Sequence, residues 1–185
     1  MPERVLTDRE LWERGVAVVS KEYAALAPDR RDALLATIRA IKAAKEELHR
    51  LADKVDCGGL CATCGGACCA TGKYHFTVVD LLVLLACGED LFSPRFEGGR
   101  CPYLADSRCL MAPPFRPFNC ITFICDMVES RLQPEDRELC LRHEKELRSG
   151  YAEVETLFAG RFMHGLLINS ERYVKGVRAG ILGGA

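Results

Sequence analysis

Five cysteines fall within thirteen residues, in the order Cys57-Gly-Gly-Leu-Cys61-Ala-Thr-Cys64-Gly-Gly-Ala-Cys68-Cys69. The glycines between them let the backbone take positive φ, so a chain of this composition can turn several sulfurs toward one point. The stretch predicts a nest for a metal ion or cluster, with the flanking chain folded so as to hold it.

The rest of the composition supports ligation over cross-linking. The chain has 185 residues and eleven cysteines, an odd number. The N-terminal residues, Met1-Pro-Glu-Arg-Val-Leu-Thr-Asp-Arg-Glu, carry acids where a secretory signal would be apolar, so a cytoplasmic protein is expected. Glutathione keeps thiols reduced there, which favours metal binding over a disulfide framework. Lys and Arg (25) nearly balance Asp and Glu (26), leaving a net charge of -1. No nucleic-acid or anionic-membrane partner is expected from that balance, and the apolar run Leu81 to Cys87 is too short to span a bilayer.

The predicted fold is mostly α: an N-terminal helical hairpin over 1–56, a cysteine-rich module over 57–131, a C-terminal helix over 132–177 packing on the hairpin, and a flexible tail over 178–185. Thr7-Asp8-Arg9-Glu10 reads as a capping box opening a helix to Leu26, with Leu11, Trp12, Val16, Val19 and Tyr23 on its apolar side. Pro28 suits the first turn of a second helix to Lys54, whose inner face carries Leu34, Ile38, Ile41, Leu48, Leu51 and Val55. Thr77-Val-Val-Asp80 caps a short apolar helix to Ala86, stopped by Gly88. From Glu89 to Arg116 no periodicity is visible. Pro117 opens a predicted helix to Arg131, with Cys120 and Cys125 near its positive end. Pro134 opens the last, to Tyr173, with the seam Leu147, Tyr151, Val154, Phe158, Phe162 and Leu166.

Eight thiols form two sets of four: Cys61, Cys64, Cys68 and Cys69, then Cys101, Cys109, Cys120 and Cys125. A two-residue spacer such as Cys61-x2-Cys64 lets both sulfurs reach one metal. Cys57 is at most a spare ligand, and His75, six residues after the loop, a candidate auxiliary one for which a structural or exposed role is preferred. Cys140 and His143 share a helix face and could form a ligand pair, but a buried cysteine beside a partly exposed histidine is the preferred account of them. Cys87 reads as core, and Arg116 as a partner for thiolates or Asp126. No catalytic set is recognisable.

These residues resemble the YkgJ-like "CxxCxxCC" proteins, described as zinc- or iron-chelating domains, whose relatives include flagellin lysine N-methylases. Cys61-Ala-Thr-Cys64-Gly-Gly-Ala-Cys68-Cys69 resembles their opening motif, and Thr77-Val-Val-Asp80-Leu the helix after it. Cys101-Pro-Tyr-Leu with Cys109 is similar to their Cys-Pro-Phe-Leu and next cysteine. Arg116-Pro-Phe-Asn-Cys120, continuing to Cys125, is similar to their Arg-Pro-x-x-Cys ending. Two features depart from the pattern: three residues separate Cys64 from Cys68 where the family has two, and Met111-Ala-Pro-Pro-Phe stands where it has Ile-Tyr. The resemblance implies a metal-chelating module, and its methylase relatives imply S-adenosylmethionine-dependent N-methyl transfer as one alternative.

Adjacent cysteines such as Cys68 and Cys69 point apart, serving a cluster or two centres better than one ion. Cys101-Pro102 is similar to the Cys-Pro ending of ferredoxin motifs, and Phe92, Phe96, Tyr103, Phe115, Phe118 and Phe123 could keep water off a cluster. These features favour iron or an iron–sulfur cluster, with a redox, electron-transfer or metal-handling role and a redox or protein partner. Structural zinc presenting the bundle to a protein is the alternative. Cys57-x3-Cys61-x2-Cys64 also has the radical S-adenosylmethionine spacing, but the alternating strands and helices of that barrel do not follow it.

Overall fold

The computed structural model describes residues 4–64, 67–97, 101–105 and 108–183, with the side chains of 68, 70, 71 and 108 also outside that description. The fold is mainly α-helical. Helix α1 (Asp8–Ala24) opens with the predicted reciprocal cap between Thr7 and Glu10. Helix α2 (Pro28–Asp53) starts on Pro28 and buries Leu34, Ile38, Ile41, Leu48 and Leu51. Helix α4 (Val78–Cys87), which follows α3 (Cys57–Cys64) and a 3₁₀ segment (Ala67–Tyr74), is apolar all round except at Asp80. A helix without a polar face has to be surrounded. Val78 to Leu84 are all buried, and α4 packs against both α1 and α2. Those two helices find their other main partners at the C-terminal end of the chain: α7 (Pro134–Leu157) lies along α2, and α8 (Leu166–Val174) along α1.

The predicted C-terminal helix is therefore two helices. Helix α7 ends at Leu157, Ala159 takes φ 49, and the Gly160 amide caps the Glu155 carbonyl at 2.9 Å. The break lets Gly165 pair with Thr77 in an isolated bridge, and the Leu166 amide donates to the Phe76 carbonyl at 2.7 Å. A Cβ on Gly165 would lie 2.4 Å from the Tyr74 carbonyl oxygen, so glycine is needed for that approach. The seam from Leu147 to Leu166 is nevertheless buried throughout.

The segment expected to be a flexible tail is docked as far as it is described. Ile181 and Leu182 are buried, and their amides donate to the Glu22 carboxylate at 3.2 and 2.7 Å. Two large aliphatic side chains at the end of a glycine-rich stretch are enough to anchor it. Residues 184–185 lie outside the described residues.

One polar cluster sits at the centre of the bundle. The Asp80 carboxylate accepts from Lys45 Nζ (2.9 Å), the Tyr151 hydroxyl (2.5 Å), and the Thr77 amide and hydroxyl (2.9 and 2.7 Å). Lys45 and Asp80 are both 0% exposed. A buried charge pair holds only when its remaining hydrogen-bonding capacity is filled, and here α2, α4 and α7 each contribute a group. Burial and the Asp80 charge push the Tyr151 phenol well up, so it stays a donor.

Candidate metal centre

The cysteine module hangs from this body at several points. Asp56, at φ 56, turns the chain after α2 and accepts the Gly59 amide at 3.1 Å, starting α3. Gly58 and Gly59 are therefore helical, which corrects the expected glycine-turned loop over this part; Gly65 and Gly66 lie outside the described residues. The helix has its own consequence: Cys57, Cys61 and Cys64 stand at i, i+4 and i+7, on one face. The Cys57 and Cys61 sulfurs are 3.9 Å apart. The Cys64 thiol points at the Cys61 carbonyl, 3.4 Å away.

The 3₁₀ segment then carries Cys68 and Cys69 back toward the bundle; the Cys68 side chain lies outside the described residues. Lys73 pairs with Asp8 of α1 at 2.6 Å, and the Tyr103 hydroxyl donates to the Lys73 carbonyl at 3.0 Å. Tyr103, Phe76, Phe92 and Phe96 surround Trp12, so the aromatics pack into the bundle core as much as around the thiols. Phe123, expected to shield the site, is 61% exposed.

A two-residue antiparallel ribbon, β1 (Leu104–Ala105) with β2 (Arg108–Cys109), organises part of the aperiodic stretch. It sets Cys109 opposite Leu104, whose amide donates to the Cys101 carbonyl at 3.1 Å. Cys101 is buried against Gly72, where a Cβ would come within 2.5 Å of the sulfur. The helix expected from Pro117 to Arg131 is interrupted: α5 (Phe118–Thr122) holds Cys120, an extended break follows, and Cys125 caps α6 (Asp126–Glu129). That break frees Cys125 to lie at the head of α6, the element against which α3 packs.

His75 meets Cys120, with Nδ1 3.3 Å from Sγ. Burial pulls the His75 pKa down, which keeps the imidazole neutral and able to ligate. Burial pushes the Cys120 thiol well up, and Cys109, Cys101, Asp80 and Cys69 push it further. Cys120 has an accessible edge at the surface, so solvent moderates that push, but the surrounding thiols are close enough to repel one another's charge. Cys101 is raised by burial and then by Cys109. Thiols held up in this way are poor nucleophiles.

The sequence-derived sites thus fall into two places. Cys57, Cys61 and Cys64 share α3, with Cys125 heading the element packed on it; His75 meets Cys120, and Cys109, Cys101 and Cys69 lie near enough to Cys120 to raise its thiol pKa. Among the described residues no three His, Cys, Asp or Glu side chains already stand in a metal-holding arrangement. The approaches present are pairs. Cys64, Cys101, Cys109, Cys120 and Cys125 carry free thiols, the chemistry a thiophilic metal requires. Elsewhere, His143 pairs with Glu146 at 2.9 Å while Cys140 is buried, so they do not act together. Arg116 donates to the Met111 carbonyl at 3.4 Å instead of meeting thiolates or Asp126. Lys45 was not singled out from sequence and Tyr151 only as a member of the apolar seam; a lysine at an otherwise apolar α2 position was the signal for the buried pair.

Comparison with family models, with curated proteins and with solved structures finds no match. Among the described residues no helix is long and apolar enough to cross a membrane.

Proposed function

We propose that the chain is a metal-binding protein whose cysteine module holds iron through thiolates, alone or as an iron–sulfur cluster, in a redox, electron-transfer or metal-handling role with a protein or redox partner. The observation that carries this reading is the approach of His75, Cys109, Cys101 and Cys69 to Cys120 from segments far apart in sequence. Thiols brought together hold their protons more tightly, and a cation that displaces those protons turns their mutual repulsion into shared ligation. The family resemblance and the similarity of Cys101-Pro102 to the Cys-Pro ending of ferredoxin motifs support iron.

A second reading, structural zinc, is favoured by the 3.9 Å separation of the Cys57 and Cys61 sulfurs. Thiolates on one tetrahedral ion with bonds of about 2.3 Å stand about 3.8 Å apart. Methyl transfer from S-adenosylmethionine rests on the resemblance alone. Two cavities of the helical body, about 480 and 370 Å³, are lined from α2, α7 and the last segment of the chain, and no cysteine lines either.

The test is anaerobic purification followed by metal and acid-labile sulfide analysis with visible absorption. Iron, with or without sulfide, is the expected result. Colourless protein with zinc and no sulfide selects the second reading, and protein that takes up neither metal through its thiols contradicts both.

A further inference from the structure

One recess of the helical body is walled by three segments distant in sequence: the first turn of α2, the last turn of α7 and the stretch that follows α8. Its volume is about 480 Å³, within the range of small-molecule sites. Arg30 and Arg178 both line it, no Asp or Glu does, and Leu157, Phe158 and Ala179 supply apolar wall. Among the described residues no hydrogen bond or ion pair holds either guanidinium; Arg30 lies 5.9 Å from the centroid of the Phe158 ring. By contrast, Arg31 and Arg137 donate to carbonyls and Arg148 to Glu144.

The walls are fixed by the fold. Buried Ile181 and Leu182, with their amides on the Glu22 carboxylate, hold the last segment in place. Gly183, at φ 84, passes so close to α7 that a Cβ would lie 3.0 Å from the Phe158 carbonyl oxygen. The end of α7 is closed by backbone, since the Val154, Glu155 and Thr156 carbonyls accept the Phe158, Gly160 and Ala159 amides, so neither arginine is needed as its cap. A second recess, of about 370 Å³, continues along α2 and α7 and shares Thr156 and Leu157 with the first. Ala33 and Ala152 line it, as does Glu153, which accepts the Thr37 hydroxyl at 3.3 Å. The joined recesses thus have two cations toward one end and a carboxylate toward the other.

We propose that these recesses bind a small organic anion, its phosphate or carboxylate head on Arg30 and Arg178 and its apolar body over Leu157 toward Ala33 and Ala152. Guanidinium forks match either oxyanion with paired hydrogen bonds. Glu153 repels a head placed the other way round. The start of α2, where Ala27 makes no side-chain cap, adds positive potential beside Arg30. No cysteine lines either recess, so the site stands apart from the metal proposal.

Titration of the full-length protein with hexyl phosphate, hexanoate, inorganic phosphate and hexylammonium, followed by the arginine Nε–Hε resonances, tests the proposal. Saturable shifts at Arg30 and Arg178 are expected with a hexyl anion, and the tighter of the two identifies the head. Inorganic phosphate, which lacks the apolar body, should bind more weakly than hexyl phosphate by roughly tenfold or more. Arg30→Gln and Arg178→Gln should each weaken the hexyl anion by roughly tenfold or more. Ala33→Leu, which fills the second recess, should reduce hexyl phosphate to the level of inorganic phosphate. The proposal is overturned by no saturable binding of either hexyl anion at millimolar concentration, by equal binding of hexylammonium, by inorganic phosphate binding as tightly as hexyl phosphate, or by shifts confined to residues outside the recesses. These readings come from the wild type, so they decide the matter even where a variant does not fold.

Discussion

In the helical body, the buried carboxylate of Asp80 has every need met by the chain: a lysine, a tyrosine hydroxyl, and a threonine amide and hydroxyl all converge on it. In the cysteine module, Cys120 lies at the surface and meets His75 at 3.3 Å, and burial followed by Cys109, Cys101, Asp80 and Cys69 pushes its thiol up. One region is complete as a polypeptide. The other gathers thiols that raise one another's pKa values, and the metal proposed for it is what would complete it. The difference teaches that the identity of a polar group's neighbours decides whether the chain alone satisfies it.

Chelation is the largest way to break this comparison. Thiolate ligation contributes on the order of 10 kcal/mol per site, so removing the metal should expose the module to protease while the bundle remains resistant. Cleavage mapped by mass spectrometry checks it; equal resistance of both regions before and after chelation would show that the module does not depend on metal. Next is Lys45→Met, which leaves Asp80 buried without its cation and should cost about 3–5 kcal/mol in urea unfolding of the whole bundle. A loss near zero would mean that Tyr151 and Thr77 suffice to hold the carboxylate.

Leu182→Ala removes one of the two side chains that anchor the last segment and should cost about 2–4 kcal/mol. A mobile end would lose nothing. Gly165→Ala forces a methyl against the Tyr74 carbonyl, for about 1–3 kcal/mol by the same measurement. Because Gly165 bridges body and module, it should also loosen metal binding, read as a faster release rate to a chelator.

The smallest effect is in pH. Cys101 and Cys120 have thiol pKa values raised in the folded chain, so the metal-free protein keeps their contribution below the ordinary thiol pKa and loses it as pH rises through the raised values. Metal binding must displace those protons, so apparent metal affinity should rise over the same interval. Opposite slopes for the stripped and loaded protein, measured by unfolding midpoints, would sharpen the contrast; parallel slopes would contradict it.

Much of the body was legible because its signals are local. Thr7 with Glu10 and Thr77 with Asp80 each form the cap their spacing specifies, and α4, apolar all round except at Asp80, is buried as such a helix must be. What escaped depended on contacts between distant segments. Nothing near Gly165 announces that it must pass close to Tyr74, and nothing near Ile181 and Leu182 announces Glu22 as their partner. The cysteine module divides along the same line. Its cysteines were countable, but their grouping was not, because it depends on α3 being a helix and on the interruption between α5 and α6. The glycines of Cys57-Gly-Gly-Leu-Cys61 suggested a turn, whereas Asp56 supplies the turn and the cap and leaves them free to be helical.

X-ray absorption at the metal edge of the anaerobically purified, full-length protein tests most directly whether cysteine thiolates hold an ion here. The edge energy identifies the metal. The predicted first shell is dominated by sulfur at about 2.3 Å, with a minority nitrogen contribution from His75. A shell of oxygen and nitrogen alone around whatever metal is present would contradict the account.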